Sequence, residues 1–318
     1  MPIGTELVNE IETLAAIPVT SDGFAQHYQI RHSADEASAR VHAMGVISQG
    51  ASLARSIDRF IDQRADNPYV GIVGKELIAD VILRREQESA IYRSLVSSDN
   101  IRDADLRKSW HEEFAVNLVS DVRQADAHSA LHNLRVISFN YDRCFAFYLV
   151  KDLSAYFSIN IDLATNIVDS LDIIYPYGNL GRLPGFTNKP WDSNSSELGF
   201  GAYDRDTAIA AGQRLRTFTE RIGEQQIVER IRETMLWADR VVYLGFAFER
   251  RNMELLQADK TSSRPAVWAT AYGIDSALTQ MNTSRIASSL GGVLSMDYVH
   301  FTCENLVKKY GPLWSQDA

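Results

Sequence analysis

Val136-Ile137-Ser138-Phe139-Asn140-Tyr141-Asp142-Arg143 is the stretch on which the reading of the fold turns. An apolar, β-type run stops at Asn-Tyr-Asp, and a helical pattern follows from Arg143 to Tyr156. A short apolar run closed by turn residues and followed by a helix reads as a buried parallel strand. Such a strand delivers Asn140 and Asp142 at its C-terminal end, the edge at which open α/β sheets bind ligands. Two further segments repeat the pattern. Leu171-Asp172-Ile173-Ile174-Tyr175-Pro176-Tyr177-Gly178 is a strand running into a glycine-rich loop. Arg240-Val241-Val242-Tyr243-Leu244-Gly245-Phe246-Ala247-Phe248 is a strand ending in a turn, with Asn252 beginning the next helix.

From residue 133 onward, short strands alternate with helices, the signature of βαβ units. Strands are predicted at 134–139, 171–175, 240–245 and 265–270. Helices are predicted at 143–156, 161–170, 204–214, 223–237, 250–258 and 274–288. Residues 178–203 are rich in Gly, Pro, Asn and Ser and have no periodicity; a connection that long is usually functional or mobile. Residues 20–132 read as helical. Ser33 precedes Ala34-Asp35-Glu36, a cap with acids in the first turn. Leu53, Ile57, Phe60 and Ile61 share a face, as do Leu77, Val81, Ile78 and Ile82, and Leu106, Trp110, Phe114 and Leu118 form a stripe. Core packing explains these stripes; a cap over a site is the functional alternative. The expected fold class is α/β: a Rossmann-like parallel sheet flanked by helices, the Asn140 strand central, with a large helical insertion near the N-terminus.

Composition excludes several classes. The net charge of −9, from 32 basic and 41 acidic residues, argues against a dedicated nucleic-acid binder, which needs basic charge to neutralise phosphates. Two cysteines, Cys144 and Cys303, build no disulfide framework and suit a reducing, cytoplasmic setting. No secretory signal and no run of 18 apolar residues is visible, so no membrane span is expected. Asn-x-Ser/Thr matches at Asn194 and Asn282 are expected to be chance.

Together the three strand ends, with Thr270-Ala271-Tyr272-Gly273 as a fourth segment, resemble the sirtuin-like (silent information regulator two) domain family in its bacterial, anti-phage-defence branch. The resemblance covers about 60% of the chain by order of segments. It implies a sirtuin-like Rossmann domain from 1–19 and 133–318, with 20–132 as a helical insertion or cap. The family opens with a strand and a Gly-Ala-Gly-Ala-Ser type loop ahead of a segment like Pro2-Ile3-Gly4-Thr5-Glu6-Leu7. The chain begins at that segment; a start codon placed too late is the expected reason, and loss of the loop in this branch is the alternative. Without that loop the chain is expected to bind NAD weakly.

The resemblance implies roles residue by residue. Asn140, Tyr141 and Asp142 sit against the nicotinamide ribose of NAD, where an amide holds a ribose hydroxyl or a water and a carboxylate stabilises oxocarbenium-like charge. The structural alternative is that Asn140 caps the following helix and Asp142 sits in its first turn. The family's general-base histidine precedes a glycine; before Gly178 the chain has Tyr177, and Tyr175 stands where some relatives have their histidine. A phenol, with an unperturbed pKa of about 10, is a poor base at neutral pH. Gly245, Phe246, Asn252, Thr270 and Gly273 fall on the adenosine side; capping competes for Asn252. His128 and His132 read as surface or helix-packing residues, with a displaced base as the alternative. Two cysteines cannot make a four-cysteine zinc site, so no zinc is expected and protein deacylation is the weakest activity. The implied function is an NAD hydrolase acting in anti-phage defence, with NAD or ADP-ribose as ligand and a homo-oligomer or a defence-system protein as partner. The alternative is a catalytically impaired nucleotide-binding, regulatory or assembly module.

Overall fold

The structure, a computed structural model, describes residues 4–16, 23–54, 56–96, 109–189, 196–217, 220, 225–258 and 264–314. It is mixed α/β, mainly helical, with small parallel sheets flanked by helices. Strand β1 (Arg135–Ile137) pairs in parallel with β2 (Asp172–Ile174), Val136 opposite Ile173. Strands β3 (Arg240–Tyr243), β4 (Ala266–Thr270) and β5 (Ser295–Val299) form a second parallel sheet in the order β3-β4-β5. The four expected strands are thus present, each a little shorter than its apolar run.

Two expectations are corrected. The described strands fall into two sheets instead of one, and among them β1 has only β2 as a ladder partner. All three residues of β1 are only half-buried, whereas the centre of a parallel sheet is covered on both faces. Arg135 also lies over the Trp237 ring at 4.4 Å. The fifth strand lies outside the four expected: Ser295 and Asp297 are exposed while Met296 and Tyr298 are half-buried, the alternation of a strand open to water on one face.

The chain forms two compact units. One comprises Met1–Ile101, Ser138–Phe147 and Tyr175–Glu224; the other comprises Arg102–Ile137, Tyr148–Ile174 and Gln225–Ala318. The sequence division at 19/20 and 132/133 stays an expectation beside them.

The first unit is built on the helix Pro68–Glu88. Asn67 caps it by accepting the Tyr69 N–H at 3.1 Å, and Pro68 starts it where a missing N–H costs nothing. Val70, Val73, Leu77, Ile78, Val81 and Leu83 are buried. Apolar burial on every side makes this the central helix of its unit, each such side chain contributing about 1.5–3 kcal/mol. Helices Gly4–Ala15, Ala34–Gly50 and Arg205–Gly212 pack around it. Ser33 caps its helix as expected, accepting the Glu36 N–H at 3.4 Å. Ile57, Phe60 and Ile61 are buried, but Leu53 is 90% exposed. It belongs to a separate 3-10 turn, Ala51–Leu53, which ends the helical periodicity.

In the second unit, the helix Ile161–Asp169 is capped by Asn160, whose Oδ1 accepts the Leu163 N–H at 2.7 Å. On the helix Trp110–Val119 the buried positions are Ala115 and Val119, while Trp110, Phe114 and Leu118 are half-buried; Leu106 lies outside the described residues. The unforeseen helix Cys303–Tyr310 is capped by Thr302 and packs against Trp110–Val119. Among the described residues no helix is long and apolar enough to cross a membrane.

Candidate functional site

The chain leaves β1 at Ile137 and enters the helix Cys144–Tyr156 within six residues. Asp142 makes that turn, its Oδ1 accepting the Cys144 N–H at 3.0 Å. Asp142 is buried, and burial pushes its carboxyl above the usual carboxylate range, against the Cys144 hydrogen bond and with help from the nearby Glu86. Burial, with Asp142 and Glu86 beside it, also pushes the Cys144 thiol well up. Tyr141 is buried, and its hydroxyl bonds Asp58. Burial raises both partners of that pair. Asn140 is exposed, and its carbonyl accepts the Ser138 hydroxyl at 3.4 Å. Of the residues assigned to the nicotinamide ribose, Asn140 is therefore the one displayed to solvent. Tyr141 and Asp142 are engaged by the protein's own groups, and capping falls to Asp142.

After β2 the chain turns at Tyr175-Pro176-Tyr177-Gly178, closed by the Gly178 N–H on the Tyr175 carbonyl at 3.0 Å. The Tyr177 carbonyl accepts the Arg216 N–H at 3.0 Å. The Tyr177 ring meets the Phe139 ring edge-on at 6.0 Å between centroids, so the turn after β1 and the turn after β2 come together. Burial lifts the Tyr175 phenol far above its ordinary range, and the Asp142 charge adds to this. Tyr175 is thus held protonated and cannot serve as a base at neutral pH. Asn179 shapes the next step, its Oδ1 accepting the Gly181 N–H at 2.9 Å.

Arg143 and Glu86 were not singled out by the sequence reading. Both are almost completely buried. Glu86 Oε2 meets Arg143 Nη2 at 2.5 Å, and Oε1 accepts both Arg143 Nε at 3.1 Å and the Arg143 backbone N–H at 3.0 Å. The remaining guanidinium donors go to main-chain carbonyls: Nη1 to Gly181 at 3.3 Å and Leu198 at 2.6 Å, Nη2 to Gly199 at 3.2 Å. A charged pair at a sequence separation of 57 leaves no local signal. The loop expected to be structureless over 178–203 carries a parallel bridge between Arg182 and Glu197. Residues 190–195, including Asn194, lie outside the described residues.

The residues assigned to the adenosine side lie in the second unit and are described by themselves. At the end of β3 the Gly245 N–H donates to Thr270 Oγ1 at 2.8 Å, and that hydroxyl faces the Tyr243 carbonyl at 3.3 Å. Phe246 packs with its ring 5.5 Å from Tyr243 and 5.3 Å from Phe248. Asn252 is not the cap of its helix. Glu249 holds that place, its Oε2 accepting the Arg251 N–H at 2.7 Å and the Asn252 N–H at 3.3 Å. Glu249 directly precedes the first helical turn, so its carboxylate reaches the open N–H groups that Asn252, already inside the helix, cannot. Gly273 lies in the turn after β4, next to the exposed Tyr272. Asn282 is 2% exposed and donates to Tyr298 Oη at 2.9 Å, which leaves its amide inaccessible.

His128 and His132 are exposed, their rings 5.9 Å apart, on and just after the 3-10 segment Gln124–Ser129. Among the described residues no group of three or more His, Cys, Asp or Glu side chains is arranged to hold a metal ion. No protein-family model matches the chain, and no curated protein or solved structure does either.

Proposed function

We propose that the chain is a sirtuin-like, Rossmann-type nucleotide-binding protein that hydrolyses the nicotinamide–ribose bond of NAD, with Asn140 at the nicotinamide ribose. One observation carries the reading. Within the first unit the turns that follow β1 and β2 in the chain meet, Phe139 on Tyr177, and Asn140 is displayed to solvent in the first of them. C-terminal ends of parallel strands are where α/β sheets hold nucleotides.

In the reaction, the bond from ribose C1′ to the pyridinium nitrogen breaks and its electron pair leaves with nicotinamide. Water adds to C1′, its proton passes to solvent, and ADP-ribose results. A cationic pyridinium departs as neutral nicotinamide and needs little general-base help, so a phenol at position 177 is compatible with turnover. Asn140 offers both a donor and an acceptor to a ribose hydroxyl or to the attacking water. Asp142 contributes by fixing the turn from inside. The reading rests on the first unit alone; the adenosine contacts assigned to Gly245, Phe246, Asn252, Thr270 and Gly273 belong to the family resemblance, as do the role in anti-phage defence and association with itself or with a defence protein.

The test is nicotinamide release from NAD by the purified chain. Asn140→Ala should lower release about a hundredfold, the usual cost of one well-placed polar group in a transition state, with the circular dichroism spectrum unchanged. Equal release by both proteins would remove Asn140 from the chemistry.

A second reading has its own support. Tyr177 stands at the histidine position, Asp142 is buried on the Cys144 N–H, and burial lifts the Tyr175 phenol, so the turn displays no ready general base. Such a site binds ADP-ribose without turning NAD over and acts as a regulatory or assembly module. Saturable ADP-ribose binding with no nicotinamide released would select it.

A further inference from the structure

We infer that Arg143 is a positioning residue that fixes the Tyr177–Gly181 segment against the Asn140 turn, and that it thereby sets nucleotide affinity; the inference rests on the nucleotide reading above. A guanidinium has five N–H donors in a rigid planar fork. In Arg143 all five meet acceptors: two on Glu86 and three on the carbonyls of Gly181, Leu198 and Gly199. The two limbs of the loop are also tied to each other, Arg182 N–H to the Ser196 carbonyl at 3.0 Å and Leu198 N–H to the Arg182 carbonyl at 2.8 Å. Glu86 closes the arrangement by accepting the Gly201 N–H at 3.3 Å. Phe147 stacks on Phe200 at 4.2 Å between centroids, beside the second limb.

The position of Arg143 in the chain gives the clamp its consequence. Its backbone N–H is held by the carboxylate that holds its side chain. The residue before it is Asp142, which shapes the turn, and Asn140 lies three residues back. One buried ion pair therefore sets the Asn140 turn and both limbs of the loop in one frame. Loss of the guanidinium contacts leaves the Arg143 backbone N–H on Glu86, and with it the Asn140 turn, but lets the Tyr177–Gly181 segment wander. That weakens the grip on the nucleotide before it touches the bond-breaking step, which appears as a rise in KM with little change in kcat.

The experiment combines hydrogen exchange with kinetics on the full chain, using NAD and ADP-ribose as probes. In the native chain the amides of Arg182, Leu198 and Gly201 should exchange together and slowly, with the core of the first unit. Arg143→Lys keeps the charge but presents three donors from one point, so those amides should exchange at least about tenfold faster, while peptides from β3 to β5 do not change. In the same variant KM for NAD and Kd for ADP-ribose should rise about tenfold, with kcat within about threefold of native. Glu86→Gln should repeat the pattern. Fast exchange of these amides in the native chain would overturn the clamp without any variant, as would unchanged protection in Arg143→Lys. Lost protection with unchanged KM and Kd would overturn the link to the nucleotide. If the native chain neither cleaves NAD nor binds ADP-ribose, the nucleotide reading fails and with it the role in affinity, while the clamp is judged on exchange alone.

Discussion

The loop after β2 and the turn after β3 solve one structural problem with different chemistry. Each must hold irregular backbone at the C-terminal end of a parallel strand. After β2 the holding is ionic and buried: the Arg143–Glu86 pair collects three carbonyls and two N–H groups from distant parts of the first unit. After β3 it is mainly neutral and not knit into a buried ion pair: the Thr270 hydroxyl takes the Gly245 N–H, Phe246 and Phe248 pack on Tyr243, and Arg285 gives a single N–H to the Phe248 carbonyl at 3.1 Å. An ionic clamp is all-or-none, because removing one partner strands the other charge in a dry interior. A hydroxyl latch with aromatic packing loosens by degrees. The comparison teaches where each strand end should be fragile, and it can be broken in four ways.

The largest effect is expected from Arg143→Ala. Glu86 would remain buried without its partner and three carbonyls would lose their donors, at a cost of about 3–5 kcal/mol. Urea denaturation of the two proteins measures it. A loss below about 1 kcal/mol would mean that the pair is no better than a surface salt bridge.

Two glycines sharpen the contrast next. Gly178 has φ +75°, and a Cβ there would sit 2.5 Å from the Arg214 carbonyl oxygen. Gly273 has φ +73° and open space around it. Gly178→Ala should cost about 3 kcal/mol, left-handed strain plus a backbone clash, and Gly273→Ala about 1 kcal/mol from strain alone. Equal losses in the two melting curves would show that the loop after β2 yields as easily as the turn after β4.

Thr270→Val removes the acceptor for the Gly245 N–H at nearly constant volume. About 1–2 kcal/mol should be lost, and Thr270→Ser should recover most of it. A loss rivalling that of Arg143→Ala would erase the distinction between the two regions.

The smallest effect concerns pH. Burial raises the Asp142 carboxyl in the folded chain above its unfolded value. The folded state then holds that proton more tightly, so the stability from this group is whole below the ordinary carboxylate range and drains away as pH rises through the folded value. Asp142→Asn keeps an oxygen for the Cys144 N–H and never ionises. It should therefore be more stable than the native chain at neutral pH, with the gap closing towards about pH 3. A gap that widens on acidification would reverse the assignment.

How much of this was legible depends on the range of each interaction. Strands β1 to β4 and their following helices were readable because each is a short local pattern, apolar run then turn then amphipathic stretch. Strand β5 was readable in principle, since Ser295-Met296-Asp297-Tyr298-Val299 alternates polar and apolar as a half-buried strand does, but it lacks the continuous apolar run by which the other four were found. The separation into two sheets was illegible: pairing depends on burial, and the half-buried state of Arg135–Ile137 is a tertiary outcome. In the site, Asn140 and Tyr177 could be picked out from strand ends, and their turns do come together. Arg143 could have been noticed as a charge at the head of a helix with apolar neighbours such as Phe145 and Phe147. Its partner Glu86 looks like any acid near a helix end, as does the Asp58 that meets Tyr141. Charges that meet only after folding carry no period to read.

The central claim is that the turn displaying Asn140 is where a nucleotide binds. Calorimetric titration of ADP-ribose into the native chain and into Asn140→Ala tests it most directly, since binding needs no turnover. Saturable binding to the native chain, weakened at least about tenfold in Asn140→Ala at an unchanged melting temperature, is the predicted result. Equal affinity in the two proteins, or no binding to the native chain, would contradict it.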